Sequence, residues 1–464
     1  MATHSKQPSK RKANRKVDPM EGLPPLNVNA AGIDVGSAEH HVAVPPDRDP
    51  EPVQSFGSFT ADLHRMARWL KDCRIQTVVM QATGVYWTAL YDVLESHGLK
   101  VNVAHAQHTK TLPGRKTDVQ ECQWLQKLHT FGLLNNAFRP TEEIRVLRTY
   151  LRQRENLVSA AATCVQHMQK ALTEMNIQLA NVISDISGTT GMAILRDIVK
   201  GEHDPEKLAR HKHARIRASR QEIARSLEGT WRQELLFVLG QSLDLCDTYQ
   251  EKIRLCDRRI DEHLQSMEGR IDPLTEPIPE PPRRGKGARP RQPAFDLRGH
   301  LYRITGVDLT QIDSIDVQVA QTVISEVGVD MSRWKTEKHF ASWLGLCPDN
   351  RVSGGKVLKR GTRQVVNRAA TALRLAAWSL IRSQSALGAK FRRLRSKLGA
   401  PKAITAMAHT LARLIYRMLK FGRQYVDQGI EYYENKYRQQ QLTWVAKQAA
   451  TLRMQLVPLS PVDG

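Results

Sequence analysis

The stretch that decides the fold is AAGIDVGSAEHHVAV, residues 30–44, in which two short apolar runs flank a turn. The runs from Gly32 to Val35 and from His41 to Val44 predict β-strands, and Val53 to Phe56 predicts a weaker third strand. The domain therefore begins with a meander. Asp34 lies on its first strand, where a carboxylate either ends the strand or belongs to a site.

Beyond the meander, helices and strands alternate. The predicted elements are a helix from Thr60, a strand from Thr77 to Met80 that ends in Gln81, a helix from Val85 to Leu94, a strand from Val101 to Ala104 and a helix from near Asp118. This order is typical of an α/β RNase H-like domain, which we predict for residues 29–140.

That order gives a chemical meaning to particular oxygen-bearing side chains. Asp34 and Gln81 end two neighbouring central strands, and Asp118 and Glu121 lie three apart on one helical face. Such side chains can meet at one end of the sheet, and hard oxygen ligands suit Mg²⁺, which also bridges phosphate oxygens. The alternative is that Asp118 and Glu121 only begin a helix, where acids are favoured by the helix dipole.

A second candidate site lies in the segment from Pro348 to Gly361. Ser353 is followed by Gly354, Gly355 and Lys356, so backbone N–H groups and a cation can surround an anion beside a hydroxyl. A serine placed in this way could attack a phosphodiester if its proton is removed or its target is polarised. The same four residues also occur in common surface turns.

Charge and cysteine content narrow the function. The 464-residue chain has 69 Lys and Arg against 47 Asp and Glu, for a formal charge of +22, which favours nucleic acid as partner. No apolar stretch is long enough to cross a bilayer, and no secretory segment is evident. The six cysteines are scattered without a Cys-x-x-Cys pair, so we expect reduced thiols and a cytoplasmic protein.

The remaining chain predicts helical domains. Heptad-like spacing from Ile144 to Leu179, with a break at Arg154, and again from Leu239 to Met267 predicts a coiled coil within the chain or between chains, although a helical-bundle core gives the same pattern. The predicted domains are a disordered basic arm (1–28), the RNase H-like domain (29–140), a coiled-coil region (141–268), a Pro/Arg-rich linker (269–299), a mainly α domain (300–440) and a tail (441–464).

Several motifs together resemble one family. These are Gly32–Gly36, Ala82–Trp87, Gly114–Asp118, Leu344–Leu346 and the run from Ser353 to Gly361. In this order they resemble the DEDD transposases of the insertion-sequence one-ten family, in particular its eleven-eleven subgroup, whose relatives include pilin-gene invertases. The resemblance implies a RuvC-like N-terminal domain, a coiled-coil connection and a C-terminal transposase domain.

The resemblance also implies roles for individual residues. The first acid of the family falls on Asp34, the third on Asp118 and the nucleophile on Ser353; Gln81 stands where the family has a glutamate, and Glu121 matches its last aspartate. Glu121 can still ligate a cation, whereas Gln81 offers only a neutral carbonyl, so metal binding is expected to be weaker or arranged for one ion. The implied cofactor is Mg²⁺, or Mn²⁺.

The implied partners are the DNA of the element ends and target, a structured noncoding guide RNA, and other copies of the chain in a dimer or tetramer formed through the coiled coil. We expect no membrane partner. The residues predicted to contact nucleic acid are Arg115, Lys116, Gly354, Gly355, Lys356, Lys359, Arg360 and Arg363.

The sequence thus predicts a transposase or site-specific recombinase that cuts and rejoins DNA through Ser353 with a divalent metal. Three alternatives stay open: a metal-dependent nuclease or junction resolvase in which water attacks, a site-specific invertase, and a nonenzymatic nucleic-acid-binding protein. The last gains weight from Gln81, which removes a charged ligand.

Overall fold

The computed structural model describes residues 22–81, 84–104, 117–281, 293, 295–359, 361–363, 365–422, 429–455 and 457. The chain divides into two compact units, residues 1–139 and 140–464. The division falls one residue before the predicted end of the RNase H-like domain at residue 140.

The N-terminal unit is a mixed α/β sheet with helices. Its elements are β1 Ala30–Val35, β2 Glu39–Ala43, β3 Val53–Gly57, α1 Thr60–Asp72, β4 Thr77–Gln81, α2 Trp87–Ser96, β5 Lys100–Ala104 and α3 Asp118–Thr130. The strand order is β3-β2-β1-β4-β5, with β2 antiparallel to β1 and β3, and β4 parallel to β1 and β5. This topology is consistent with the predicted RNase H-like domain.

The core of this unit follows from the residue pattern. Strand β4 is buried along its whole length, as expected for a strand covered on both faces. Helix α1 buries Leu63, Met66, Ala67 and Leu70, whose spacing places them on one face. The sheet and its helices therefore hold the ends of β1 and β4 in fixed positions.

Helix α3 rests directly on the backbone of β1 at Gly32. A Cβ atom added at Gly32 would lie 2.3 Å from both the Cys122 carbonyl oxygen and the Gln126 amide nitrogen. Both atoms belong to the main chain of α3, so no side chain can rotate away. Only glycine allows the helix to approach the strand this closely.

Replacing Gly32 with Ala is expected to lower the free energy of unfolding of the N-terminal unit by about 3 kcal/mol, because helix and strand must separate. Urea denaturation of the full chain, followed by peptide-level hydrogen exchange in β1, measures the loss. The control is Gly240→Ala in the middle of a long helix, where the new methyl lies 3.5 Å from Val199 Cγ1. That variant should gain about 0.5–1 kcal/mol. Equal stability of the Gly32 variant and the wild type would contradict the proposed packing.

The second unit is almost entirely helical. Its helices are α4 Glu142–Glu174, α5 Leu179–Val182, α6 Thr189–Val199, α7 Pro205–Leu208, α8 Arg220–Ser226, α9 Gln233–Ser266, α10 Leu297–Thr305, α11 Val317–Val327, α12 Glu337–Trp343, α13 Arg368–Ser379, α14 Ala386–Leu398, α15 Ala400–Phe421 and α16 Gly429–Thr451. Short 3-10 turns cover Ala209–His211, Leu309–Gln311 and Leu380–Arg382. A two-stranded hairpin consists of β6 Arg351–Ser353 and β7 Lys356–Lys359.

Helices α4 and α9 pack along each other within the chain and run antiparallel. His263 Nε2 lies 2.8 Å from the Glu143 carbonyl oxygen, and Arg154 Nε donates to Asp257 Oδ1 at 2.5 Å. This ion pair explains why the apolar spacing of α4 is interrupted at Arg154. The Arg154 side chain faces α9, where the carboxylate of Asp257 compensates its charge. Pairing between chains as a coiled coil stays a prediction.

The C-terminal part of this unit packs around α15. Its buried residues Met407, Leu411 and Ile415 lie on one face of that helix, and the Tyr416 hydroxyl donates to the Trp334 carbonyl at 2.7 Å. Helix α16 continues to Thr451, so the predicted boundary at 440 lies inside a helix.

Two other expectations from the sequence meet the structure here. The described start of the predicted linker docks on this part of the chain, since Arg270 donates to the carbonyls of Leu419 and Val329. In the part of the chain that the structure describes, no helix combines the length and apolarity that a membrane crossing requires.

Candidate active site

Three carboxylates converge at the end of β1. Burial, together with the nearby charges of Glu121 and Asp118, raises the pKa of Asp34 to about 6. His41 and the backbone amide of Val35 act in the opposite direction. The three acids that the sequence predicts for one site are thus near enough for Glu121 and Asp118 to influence the charge of Asp34, while their sharing a metal ion stays a prediction.

The two acids of α3 are positioned by the start of that helix. Thr117 caps it by accepting a hydrogen bond from the Gln120 amide at 3.3 Å, and the Gln120 side chain returns to the Thr117 amide. Asp118 and Glu121 then occupy the first turn, and the contact of Gly32 with Cys122 and Gln126 holds the following part of the helix against β1. The helix dipole favours acids here, but their convergence on Asp34 is not required by the dipole.

Gln81 lies on the same end of the sheet. Ile33 and Met80 are register partners on parallel strands, so Asp34 and Gln81 follow at the next step. Gln81 is buried, with a side-chain exposure of 8 %. Its position matches the predicted fourth ligand, while its neutral amide adds no charge to the cluster.

His41 is a site residue that our sequence analysis did not identify. It is the register partner of Asp34 on β2, and its Nε2 lies 3.6 Å from Asp118 Oδ2. On the other side of the ring, Nδ1 shares a 2.8 Å hydrogen bond with Ser55 Oγ. The sequence did contain a clue to His41. The connection between β1 and β2 is short, so in an antiparallel pair residue 41 must lie opposite residue 34.

The donor set fits a divalent cation in chemical type. Three carboxylates and one amide supply hard oxygen atoms, the ligand type that Mg²⁺ and Mn²⁺ prefer. Among the described residues, no three His, Cys, Asp or Glu side chains are close enough together to hold a metal ion as they stand. The Asp118 side chain is 72 % exposed.

Ser353 lies at the tip of the β6–β7 hairpin. Gly354 and Gly355 form the turn with φ of 54° and 74°, the left-handed conformation that a tight two-residue hairpin requires. Ser353 and Lys356 are register partners on either side of this turn, and both are exposed. Both glycines take the positive φ that the sequence allows, and anion binding by this turn stays a prediction.

The base of the hairpin is anchored, whereas its tip is not packed. The Asp349 amide donates to the Gly361 carbonyl at 2.7 Å, and Arg363 donates to the Ser342 carbonyl at 2.6 Å. At the tip, a Cβ atom added to Gly354 or Gly355 would meet nothing within 4 Å. Arg363 thus fixes the base of the hairpin, a role we did not predict for it.

Not every predicted nucleic-acid contact falls on described residues. Arg115, Lys116 and Arg360 lie outside them, and Lys359 is described only in its backbone. The helix that follows the hairpin, α13, begins at Arg368, where the Asn367 side chain caps it by accepting a hydrogen bond from the Ala370 amide. Residues 365 and 366 before it are exposed.

The longest acid-free, basic stretch of the chain was also not identified in our sequence analysis. Between Asp349 and Asp427 the sequence has no acid over 77 residues, and it has 18 Lys and Arg. This run includes the Ser353 hairpin and helices α13 to α15. Such a one-signed segment is the electrostatic footprint of a polyanion site.

Comparison with protein families identifies both regions. One model, described as a DEDD-type IS110 transposase, matches residues 31–177, and a second, described as "Transposase IS116/IS110/IS902 family", matches residues 308–392. The chain carries two IS110 family transposase domains. The first match includes Asp34, Gln81, Asp118 and Glu121, and the second includes the Ser353 hairpin.

The two family matches cover different elements of the fold. The first domain match continues past the sheet to the end of α4, so it takes in one of the two long helices. The second covers α11 to the middle of α14. No curated protein sequence matches the chain. The transposase domains support a role in cutting and rejoining DNA.

Proposed function

We propose that the protein is a transposase that moves its own insertion sequence by cutting and rejoining DNA through Ser353. The observation that carries the proposal is that one chain has both transposase domains, with an acid cluster in the first and an exposed serine beside a lysine in the second. The serine also lies within the stretch of sequence from 350 to 426, which has 18 Lys and Arg and no acid.

The proposed chemistry is a pair of phosphoryl transfers. Ser353 Oγ attacks the scissile phosphorus, the bond to the leaving sugar oxygen breaks, and that oxygen takes up a proton. A hydroxyl of the second DNA strand then attacks the phosphoserine and releases Ser353. The phosphodiester is conserved throughout, so rejoining needs no nucleotide cofactor. Lys356, beside Ser353 in the hairpin register, would hold the phosphate.

Asp34, Asp118 and Glu121, with Gln81 beside them, would hold Mg²⁺ or Mn²⁺. When bound, such an ion supplies positive charge that offsets the charge on the phosphate. The residues themselves contribute a fixed platform, because β1 and the capped start of α3 orient them. His41 would keep Asp118 turned toward the cluster.

We further propose the partners that the family resemblance implies. A structured noncoding RNA would select the donor and target DNA. This suits a basic protein, because Lys and Arg bind the phosphate backbone and do not by themselves distinguish base sequences. The chain would act as a dimer or tetramer, and the reaction would take place in the cytoplasm, in keeping with six free thiols.

The test is to trap the covalent intermediate. The protein is incubated with Mg²⁺, its copurified RNA and DNA that spans the flanks of its gene, then denatured and digested with trypsin. Cleavage after Arg351 and Lys356 releases residues 352–356, whose only hydroxyl side chain is Ser353. Mass spectrometry should find this peptide linked to a nucleotide.

The second candidate is a metal-dependent nuclease, which the acid cluster alone would allow. In that reaction water attacks and no adduct forms. DNA cleaved in the same incubation without a nucleotide-linked peptide would therefore favour the nuclease. Sequencing the RNA and DNA that copurify with the protein would test the proposed partners.

A further inference from the structure

Helix α13 presents an exposed stripe of mixed apolar and basic character. The stripe consists of Arg368, Thr371, Leu375, Trp378 and, in the 3-10 turn that follows, Arg382. Leu375 is 68 % exposed and Trp378 is 47 % exposed. The opposite face of the helix is the buried one, with Ala369, Leu373 and Ala376 in the core. The stripe is thus a surface that folding leaves open, and we call it the Trp378 stripe.

A second helix supplies cations to this stripe. The guanidinium carbon of Arg395, on α14, lies 6.0 Å from the centre of the Trp378 ring. Arg395 and Lys397 are exposed, whereas Arg392 is used within the fold to hold the Ser383 carbonyl. Beside them, the Arg393 guanidinium lies 3.5 Å over the Tyr437 ring. Two guanidinium groups of α14 thus lie over aromatic rings, Arg395 over Trp378 of α13 and Arg393 over Tyr437 of α16.

Three acids near helices α13 to α15 already have partners, and the partner of one of them, Arg368, belongs to the stripe. Glu155 pairs with Arg368, Glu337 pairs with Arg413 and Arg417, and Asp313 accepts hydrogen bonds from Ser383 and Ser385. Helices α13, α14 and α15 themselves contain no acid. A negatively charged ligand on the stripe would meet cations without a competing carboxylate on these helices.

We propose that the Trp378 stripe binds unpaired nucleotides, with a base stacked on Trp378 and the adjoining phosphates held by Arg395 and Lys397. The charge favours a polyanion, and a half-exposed indole beside guanidinium groups is the arrangement that binds single strands by stacking. A duplex offers no free base face, so it would use only the cations. This inference rests on the proposed function and adds where an unpaired strand lies.

The position of the stripe gives it a use in the reaction. Helix α13 begins a few residues after the hairpin that carries Ser353, and Trp378 lies ten residues, or about 15 Å, along that helix. A strand held on the stripe would therefore be bound by the helix that follows the serine hairpin in the sequence.

The test measures binding with Trp378→Ala, in a Ser353→Ala background so that nothing is cut. Fluorescence anisotropy gives Kd for labelled dT12, rU12 and a 12-base-pair duplex. The Kd for at least one single strand should rise about 10-fold or more, and the Kd for the duplex should change less than 2-fold. The two single strands distinguish DNA from RNA as the occupant. Trp378→Phe should restore most of the affinity.

Two further variants separate stacking from charge. Trp378→Ala should leave the slope of log Kd against log salt unchanged, whereas Arg395→Gln should reduce it by about 0.7 for single strands. Phe237→Ala, which removes an exposed aromatic ring from α9, is the matched control and should bind normally. Unchanged single-strand binding by Trp378→Ala, or an equal loss for the duplex, would overturn the inference. Neither result would affect the peptide adduct that tests Ser353.

Discussion

Replacing Ser353 with Ala is expected to lower the rate of strand exchange by about 1000-fold or more, because no other group on the hairpin tip can form the covalent link. The substitution removes one exposed hydroxyl, so stability should change by less than about 0.5 kcal/mol. DNA and RNA binding should stay within about 2-fold of the wild type. Exchange is measured by the appearance of rejoined strands on a sequencing gel.

A serine elsewhere in the same acid-free run provides the control. Ser396 is exposed on α14, and Ser396→Ala should exchange strands at the normal rate. Lys356→Gln should fall between the two, since it removes the cation beside the hydroxyl and keeps the nucleophile. If Ser353→Ala rejoined DNA as fast as the wild type, the serine mechanism would be wrong.

Replacing Asp34 with Asn is expected to abolish exchange while making the protein more stable. At neutral pH the wild type must keep a half-buried carboxylate charged beside two others, and the neutral amide removes that repulsion. With a pKa of about 6 in the fold against 3.8 as the ordinary value, the gain is roughly 1–3 kcal/mol after allowance for solvent screening. Calorimetry of the full chain measures it.

The stability difference between Asp34→Asn and the wild type should depend on pH. Because folding raises the pKa of Asp34, the folded state holds the proton more tightly, and its contribution to stability falls as pH rises from about 4 to 6. The advantage of Asp34→Asn should be near zero below pH 4 and complete above pH 6. A variant less stable than the wild type at pH 7 would show that the carboxylate is not under repulsion.

Adding Mg²⁺ tests whether the acid cluster binds a metal ion, separately from the repulsion between its carboxylates. A cation that binds the acid cluster should raise the melting temperature of the wild type and reduce the gap to Asp34→Asn. Glu142→Gln, which removes an acid from the start of α4, is the matched control and should respond to Mg²⁺ like the wild type. Equal responses of wild type and Asp34→Asn would argue against this metal site.

The N-terminal fold could be predicted from the sequence because its strands follow simple patterns. Residues 30–33 and 78–80 are short runs without polar side chains in the core of a sheet, and α1 has a regular buried face. The order of these elements was enough to bring Asp34, Asp118 and Glu121 to one end. The contact at Gly32 was not foreseen, since it depends on how closely two elements pack.

The C-terminal region was harder for physical reasons. The hairpin strands are only three and four residues long, and Val352 and Val357 are exposed partners, so no buried pattern marks them. Helix α16 has almost no amphipathic character, so no pattern in the sequence predicts a helix beyond residue 440, and residues 441–464 are predicted as a tail. The Arg154–Asp257 pair joins positions 103 apart, a distance at which local patterns carry no information.

The glycine contact beneath the acid cluster has a consequence for how the protein can vary. The distance between α3 and the sheet is set at Gly32, where the main chain of the helix contacts the main chain of the strand. Main-chain groups, unlike side chains, have no alternative rotamers. Substitutions that reshape other parts of the hydrophobic interior would therefore be absorbed by side chains, while Asp118 and Glu121 kept their height above Asp34. Divergent copies could drift widely in sequence and still preserve the geometry of their charges, provided that this one position never gained a methyl group.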